Sequence, residues 1–545
     1  YLIGGDFRGF DPIDSGDTMT AEQVCRVYEG LLEYAYLERP YKVIPRLAES
    51  LPEVSADGLT YTFRIRKGVR FMDDPCFPDG RGREVTAQDF IYSFKRLIDP
   101  KLQSDGDWIF IHHVLGAKEW AERGNFDAPV AGFVALDNYT LQIRLRRPYP
   151  QLLWTLTMPF TFVVPREAVE FYGKDFRNHP VGTGPFRLKS WRRRYRIEYE
   201  RNPSFSGQRY PDRGEPGDRE AGLLDDAGKP LPIVDRIVEY DVSEYYTMWQ
   251  MFLAGQIAAA GLNKDYFQKA ITPELELSDE LKRRGIRLYK TPEPAIWYIA
   301  FNMKDPVLGP NRALRQAFAC AIDVPKLCEV IYNNRYTPAN SPIPPGIAGH
   351  TKKPYPYRYD PQRARQLLAE AGYPGGRDNR GRPLRLTMMM PGAGSTDARQ
   401  LAEFFVDHLR AVGVELLTQQ LSFAEYLRRK QEGNYQIAYA GWIGDYPDAE
   451  NFLKLFYGPN KCPGVNATNY ENPEFDRLYE RIAVMPDCPE RTELYEKMVD
   501  IVLADCPWAL MTYPLTYGLY QPWFQNYKRH PFSYANAKYY KVLPP

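Results

Sequence analysis

No charge of one sign dominates this chain of 545 residues: 70 Lys and Arg face 69 Asp and Glu, a formal net charge of +1. A binder of nucleic acid that works through broad positive charge is thereby disfavoured. No apolar run reaches the roughly 18 residues that span a bilayer. With 44% hydrophobic residues the chain is not an acidic disordered one either. Its length predicts about three or four domains' worth of core.

Cysteine is sparse and scattered. Cys25, Cys76, Cys320, Cys328, Cys462, Cys488 and Cys506 form no C-x-x-C pair and no zinc spacing. Cys320 and Cys328 stand eight apart on one expected helix, too far to bond. Small buried hydrophobes are the favoured reading for all of them. Catalytic motifs are missing as well. There is no H-E-x-x-H, no G-x-S-x-G, no Walker A loop and no G-x-G-x-x-G at a strand-to-helix junction. Of six histidines only His112 and His113 are close in sequence, and adjacent residues do not share a face. The expectation is no enzyme, no cofactor and no metal.

What the chain does have is aromatic surface: 40 Tyr, 28 Phe and 9 Trp. Amphipathic rings suit a surface that is partly buried and partly wet, such as a ligand cleft, and equally a Tyr-rich core. The 47 prolines point to many turns. A helix is predicted from Thr20 to about Leu32. Strands are predicted at Thr60–Arg66, Tyr139–Leu145 and Arg194–Glu200, where apolar and polar residues alternate. Thr86-Ala87-Gln88-Asp89 reads as a capping box with Asp where Glu or Gln is usual. The stretch 206–232 reads as a surface insertion. The second half alternates strands (Trp297–Phe301, Leu384–Met390, Tyr435–Trp442) with helices (Ala313–Asp323, Asp360–Gly372, Asp397–Val412), which predicts an α/β fold with a mixed sheet covered on both faces.

Several segments, in order, resemble the family 5 extracellular solute-binding proteins, the oligopeptide- and dipeptide-binding components of ABC importers. They are Tyr28-Glu29-Gly30-Leu31-Leu32, Pro45-Arg46-Leu47-Ala48-Glu49-Ser50, Tyr61–Val69 with Val85–Phe90, Gly182-Thr183-Gly184-Pro185-Phe186, Phe301-Asn302-Met303 with Arg315-Gln316-Ala317 and Ala321-Ile322-Asp323, Gly441-Trp442-Ile443-Gly444-Asp445-Tyr446-Pro447-Asp448, and Asn469–Asp476. The resemblance implies a periplasmic-binding-protein-like fold of type II, with two discontinuous ligand lobes and an extra domain, closing by a hinge. On that layout lobe I holds 1–48, 178–290 and 507–545, the extra domain 49–177, and lobe II 291–506. Residues 73–83 and 206–232 stand out as insertions. The resemblance further implies export to the periplasm or a lipid-anchored place on the bacterial surface, a signal segment removed, a monomer, and delivery of the solute to membrane permease subunits.

A peptide in such a site is held as an added strand by backbone hydrogen bonds, with its charged ends met by side chains. Asp445 matches the family's partner for the peptide ammonium; a turn Asp is the alternative. Trp442 and Tyr439, with Gly441, are expected beside it, either stacking on ligand or as a packed strand end. Asn302 and Tyr298 are expected on the facing wall or in the core. Arg399, at the start of a helix, is expected to meet a ligand carboxylate or to be a solvated surface residue. Tyr439 stands where peptide binders carry Arg, which keeps oligosaccharides, nickel chelates and small amines open as ligands. A hydrolase or chaperone-like sensor is the reading from another class.

Overall fold

The computed structural model describes residues 2–3, 7–205, 207–242 and 244–543. The chain divides into two compact units, Tyr1–Ala260 with Lys282–Arg287 and Leu519–Pro545, and Gly261–Leu281 with Leu288–Gly518. None of the described helices is long and apolar enough to cross a membrane.

Among the described residues the first unit holds two four-stranded sheets and two two-stranded ones. Strands β1 (Leu2–Ile3), β6 (Phe186–Arg192), β7 (Arg196–Arg201) and β8 (Arg236–Asp241) lie in the order β1-β8-β7-β6, and β1 is parallel to β8. Of the opening residues 1–5, only Leu2–Ile3 lies within the described residues. Strands β2 (Glu53–Val54), β3 (Thr60–Arg64), β4 (Phe133–Asp137) and β5 (Thr140–Arg144) form an antiparallel sheet in the order β2-β3-β5-β4. In β3 the alternation is realised: Tyr61 and Phe63 are buried and Arg64 is exposed.

Helix α1 (Thr18–Val27) begins at Asp17, whose carboxylate accepts from Thr20 N–H at 2.9 Å. It stops one and a half turns before the expected end, and Leu32–Tyr34 is a short strand instead. The cause is tertiary. A Cβ on Gly182 or Gly184 would lie 2.1 Å or 2.6 Å from the Val27 carbonyl oxygen, and one on Gly30 would lie 2.7 Å from the Phe162 ring. The Gly-Thr-Gly segment therefore presses against the helix end, and Gly184 N–H caps the Val27 carbonyl at 2.7 Å. Helix α2 (Ala87–Leu97) has the expected box: the Asp89 carboxylate accepts from the Thr86 N–H at 2.8 Å. The shorter Asp reaches, and Arg83 holds it from the other side with two hydrogen bonds.

The segment 206–232 is not only surface. Asp218 and Asp226 within it are buried, and a buried carboxylate requires a partner. Lys528 Nζ lies 2.9 Å and 2.7 Å from the two Asp218 oxygens. Asp226 accepts from Asn526 at 2.7 Å and Lys541 at 3.1 Å. Burial raises the Asp226 pKa, but the bonds from Lys229, Asn526 and Lys541 outweigh it and hold the group at about 2. Lys229 is local, but Lys528, Asn526 and Lys541 arrive some 300 residues later, from the C-terminal return, so no local pattern announces the burial.

The second unit is α/β around a mixed sheet. Five of its strands, β9 (Ala295–Phe301), β11 (Arg385–Pro391), β12 (Glu415–Leu421), β13 (Ile437–Ile443) and β14 (Trp508–Tyr520, leaving the unit after Gly518), run in the order β14-β9-β13-β11-β12. Strand β10 (Tyr336–Pro338) pairs with β14. Contacts β9–β13 and β9–β14 are antiparallel, and β11–β12 and β11–β13 are parallel. Helices α3 (Arg312–Ala321), α5 (Pro361–Glu370) and α6 (Thr396–Ala411) pack Leu314, Phe318, Leu368 and Phe405 onto Ile299, Phe301, Met388 and Met390 of the sheet. Asp360 caps α5 as its sequence announces, accepting from Arg363 N–H at 2.9 Å. The single helix expected through Cys320 and Cys328 is two. Asp323 N-caps a separate α4 (Val324–Val330), with Pro325 in its first turn, so the two cysteines sit on different helices. All seven cysteines are free thiols.

Candidate functional site

Strand β13 carries the central motif, and its alternation sorts the expected residues onto opposite faces. Tyr439 points into the helix-covered core, 6% exposed. Its ring stacks on Trp297 at 6.0 Å, and its hydroxyl bonds Tyr332 OH at 2.8 Å. Burial, then the neighbouring Tyr332 phenol, pushes the Tyr439 phenol well above its ordinary range, so it stays neutral. Gly441 lies on the same face under the Trp297 indole; a Cβ there would sit 2.2 Å from the ring, so this glycine serves packing. Trp442 lies on the other face and is half-buried.

Past the strand, Gly444 N–H bonds Pro294 O at 2.7 Å and turns the chain towards the short helix α7 (Glu450–Leu453). Asn451, fully buried in that helix, ties the turn together. Its Oδ1 accepts from Trp442 Nε1 at 2.9 Å and from Asp445 N–H at 3.1 Å, and its Nδ2 donates to Asp445 Oδ2 at 2.8 Å. Lys454 donates to the same Oδ2 at 3.2 Å. Its ammonium also lies 5.2 Å from the Trp442 ring and 5.5 Å from the Tyr446 ring, within cation–π range. Asp445 Oδ1 accepts no hydrogen bond among the described residues, and the Asp445 side chain is 35% exposed.

The carboxylates just beyond are structural. Asp448 accepts from Tyr495 OH at 2.9 Å and pairs with Arg491 at 2.9 Å, both on α9 (Pro489–Asp505). Glu450 accepts from Tyr446 OH at 2.7 Å and from Tyr479 OH, on α8 (Pro473–Ile482). A buried carboxylate with two such partners has little left for a ligand.

The remaining expected residues are spread. Asn302 is buried and all its hydrogen-bonding capacity is used. It donates to Gly433 O and Tyr435 O at 3.0 and 2.8 Å, and accepts from Lys304 N–H and Asn469 Nδ2 at 3.1 and 3.0 Å. Tyr298 is buried and stacks on Trp508 at 3.4 Å. Arg399 is exposed in the first turns of α6 and makes no ion pair among the described residues. The sequence reading thus named Asp445 and Trp442, which the structure joins, and missed Asn451 and Lys454, which join them. The available signal was spacing: both lie on the helical turns that follow the Tyr-Pro-Asp turn.

The first unit contains a narrow recess of about 20 Å³, room for roughly one water, lined by Cys25, Glu29, Glu33, Tyr34, Arg46 and Lys538, among others. Its charges are paired internally. Arg46 bonds Glu29, whose other oxygen accepts from Thr183 at 3.0 Å, and Lys538 bonds Glu33 at 2.5 Å. The segments Glu29-Gly30 and Gly182-Thr183-Gly184 thus form a single packed cluster.

The sequence profile of the bacterial extracellular solute-binding proteins, family 5 Middle, matches residues 42–462. The chain belongs to this family. Heme-binding protein A of Haemophilus influenzae is 27% identical over 536 residues, covering 96% of this chain and 89% of that protein. The glutathione-binding protein GsiB of Escherichia coli O1:K1 / APEC is 28% identical over 514 residues, covering 93% of this chain and 87% of that one. Among solved structures, HbpA2 from Haemophilus parasuis aligns over 100% of this chain and 99% of its own with a TM-score of 0.79 at 22% identity. The ABC transporter-associated periplasmic binding protein DppA from Helicobacter pylori, in complex with the peptide STSA, aligns over 99% and 96% with a TM-score of 0.74 at 24% identity. The fold of this family 5 protein is the α/β, mixed-sheet fold of the type II periplasmic binding proteins.

Proposed function

We propose that this family 5 protein is an extracytoplasmic receptor, not an enzyme. It captures peptide-like solutes carrying a free ammonium and delivers them to the membrane permease subunits of an ABC importer. The observation that carries the reading is Asp445. Its carboxylate is held in place by Asn451, keeps one oxygen open among the described residues, and stands beside the half-buried Trp442. An ammonium on a carboxylate forms a charge-assisted hydrogen bond worth roughly 1.5–3 kcal/mol. The names of the relatives support the class: one is named for glutathione, and one solved neighbour holds a peptide. Arg399, exposed on α6, is the proposed partner of a ligand carboxylate.

The proposed organisation is lobe I (1–48, 178–290, 507–545), an extra domain (49–177) and lobe II (291–506), closing by a hinge. The working place is the periplasm or the bacterial cell surface, as a monomer. The test is calorimetric titration of Ala-Ala-Ala and acetyl-Ala-Ala-Ala into the wild type and Asp445→Asn. The variant is expected to weaken the free peptide at least tenfold, about 1.4 kcal/mol, and the acetylated one far less. Equal losses for both would overturn the assignment.

The heme relative favours a second reading, in which the same fold holds a non-peptide solute. The burial of Tyr439, which leaves no guanidinium at its position, fits that reading too. A solute without an ammonium would be indifferent to Asp445→Asn.

A further inference from the structure

The β6–β7 hairpin of the first unit carries positive charge that the fold leaves unanswered. Its tip reads Trp191-Arg192-Arg193-Arg194-Tyr195-Arg196, and β6 is the outer strand of its sheet. Arg192, Arg193 and Arg194 are exposed and make no ion pair among the described residues. Arg193 donates to Asn178 Oδ1 at 2.8 Å, a neutral partner. The next cations inward share one carboxylate: Lys189, Arg196 and Arg236 lie 3.1, 3.3 and 2.8 Å from Glu198. The other carboxylate beside the tip is Asp241, whose N–H bonds Tyr195 O at 3.0 Å. Six cations thus stand against two carboxylates, in a chain whose whole net charge is +1.

The turn itself does not ask for arginine. Arg194 has a φ of +55°, in the left-handed region where glycine is the residue of least cost. Aromatic rings are interleaved with the cations. Trp191 is half-buried, packed on Phe7 and Phe10 at 4.7 and 5.5 Å, with the Arg193 guanidinium 4.2 Å from its ring. Tyr195 is 48% exposed, with Arg192 and Arg196 at 4.9 and 6.0 Å. Guanidinium takes phosphate oxygens two at a time. Tyr and Trp favour the boundary between water and lipid. One acidic loop would meet one or two of these cations, whereas a field of phosphate headgroups meets the whole tip at once.

We propose that the β6–β7 tip docks the protein on an anionic phospholipid surface. The proposal is independent of which solute the protein carries. Co-sedimentation tests it, with vesicles of roughly three parts phosphatidylcholine to one part phosphatidylglycerol set against phosphatidylcholine alone, at about 0.1 M salt. The wild type is expected to bind the anionic vesicles at least tenfold tighter. Each cation at such a surface contributes roughly fivefold. The triple variant Arg192→Ser, Arg193→Ser, Arg194→Gly should therefore bind the two vesicle types within threefold of each other. Arg194→Gly alone removes a charge and relieves the turn. It should lose roughly fivefold in affinity while its melting temperature holds or rises, which separates lost charge from lost fold. Lys at all three positions keeps the charge and should keep the preference for anionic vesicles. Equal binding to the two vesicle types by the wild type, or binding to neither, would overturn the proposal, as would a preference unmoved in the triple variant. Binding of poly-glutamate through the same arginines, with both vesicles ignored, would overturn it in favour of an acidic protein partner.

Discussion

Asn451 and Asp445 hold each other twice: the Asn451 amide donates to the Asp445 carboxylate at 2.8 Å, and the Asp445 backbone N–H donates back to Asn451 Oδ1 at 3.1 Å. With Trp442 Nε1 also on Oδ1, one fully buried side chain fixes both the carboxylate and the aromatic ring. Asn451→Leu keeps the volume and removes every bond. It is expected to lower stability by about 1–3 kcal/mol, through donors left unpaired, and to weaken binding of Ala-Ala-Ala at least tenfold. Urea denaturation and calorimetry check the two parts. Unchanged affinity in a folded variant would mean that Asp445 needs no such clamp.

Tyr439 occupies the core, with its hydroxyl on Tyr332. Tyr439→Phe removes that bond alone. The expected result is a loss of about 1 kcal/mol in stability with ligand affinity within twofold of wild type. A tenfold change in affinity would place the phenol at the ligand instead.

His530 is buried between the rings of Tyr34 and Tyr41, at 4.9 Å and 5.1 Å, with neither ring nitrogen hydrogen-bonded among the described residues. Burial, then the charge of Arg39 and more weakly that of Lys528, holds its pKa well below the ordinary 6.5. A cation depressed in the folded state is taken up first by the unfolded chain. This contribution to stability is therefore present above pH 6.5 and is lost as the pH falls below it. The expected loss is about 1.4 kcal/mol between pH 7.5 and 5.5, read by denaturant titration. His530→Phe should flatten the profile across that window; an identical slope in the variant would remove His530 as its cause.

The chain passes between its two units at four places, after Ala260, Leu281, Arg287 and Gly518. Several short connections of this kind suit a hinge. Small-angle scattering is expected to show a smaller radius of gyration with saturating ligand. An unchanged radius, with binding proven by calorimetry on the same sample, would count against closure.

The readable parts of this fold are those decided locally. The Thr86–Asp89 box and the Asp360 cap sit within four residues of their partners, and the alternation of Thr60–Arg64 follows from the strand's own period. What was not legible depends on distant packing. Helix α1 ends because two glycines some 155 residues later press on Val27. The carboxylates of 206–232 are buried because Lys528, Asn526 and Lys541 come back to meet them. At the site, Asp445 was legible from its motif. The opposite orientation of Tyr439 and Trp442 was also within reach, since three positions along a strand change face. The clamp by Asn451 and the ion pair with Lys454 were not, because they need the geometry of the turn that brings the next helix back.

The central claim is that this family 5 protein carries peptide-like solutes. Native mass spectrometry of the protein, purified from its bacterial compartment without refolding, tests it most directly. The account predicts extra masses that fragment into amino-acid residues, as a ladder or as one short peptide. A single bound mass without amino-acid fragments, such as a porphyrin or a sugar, would contradict it.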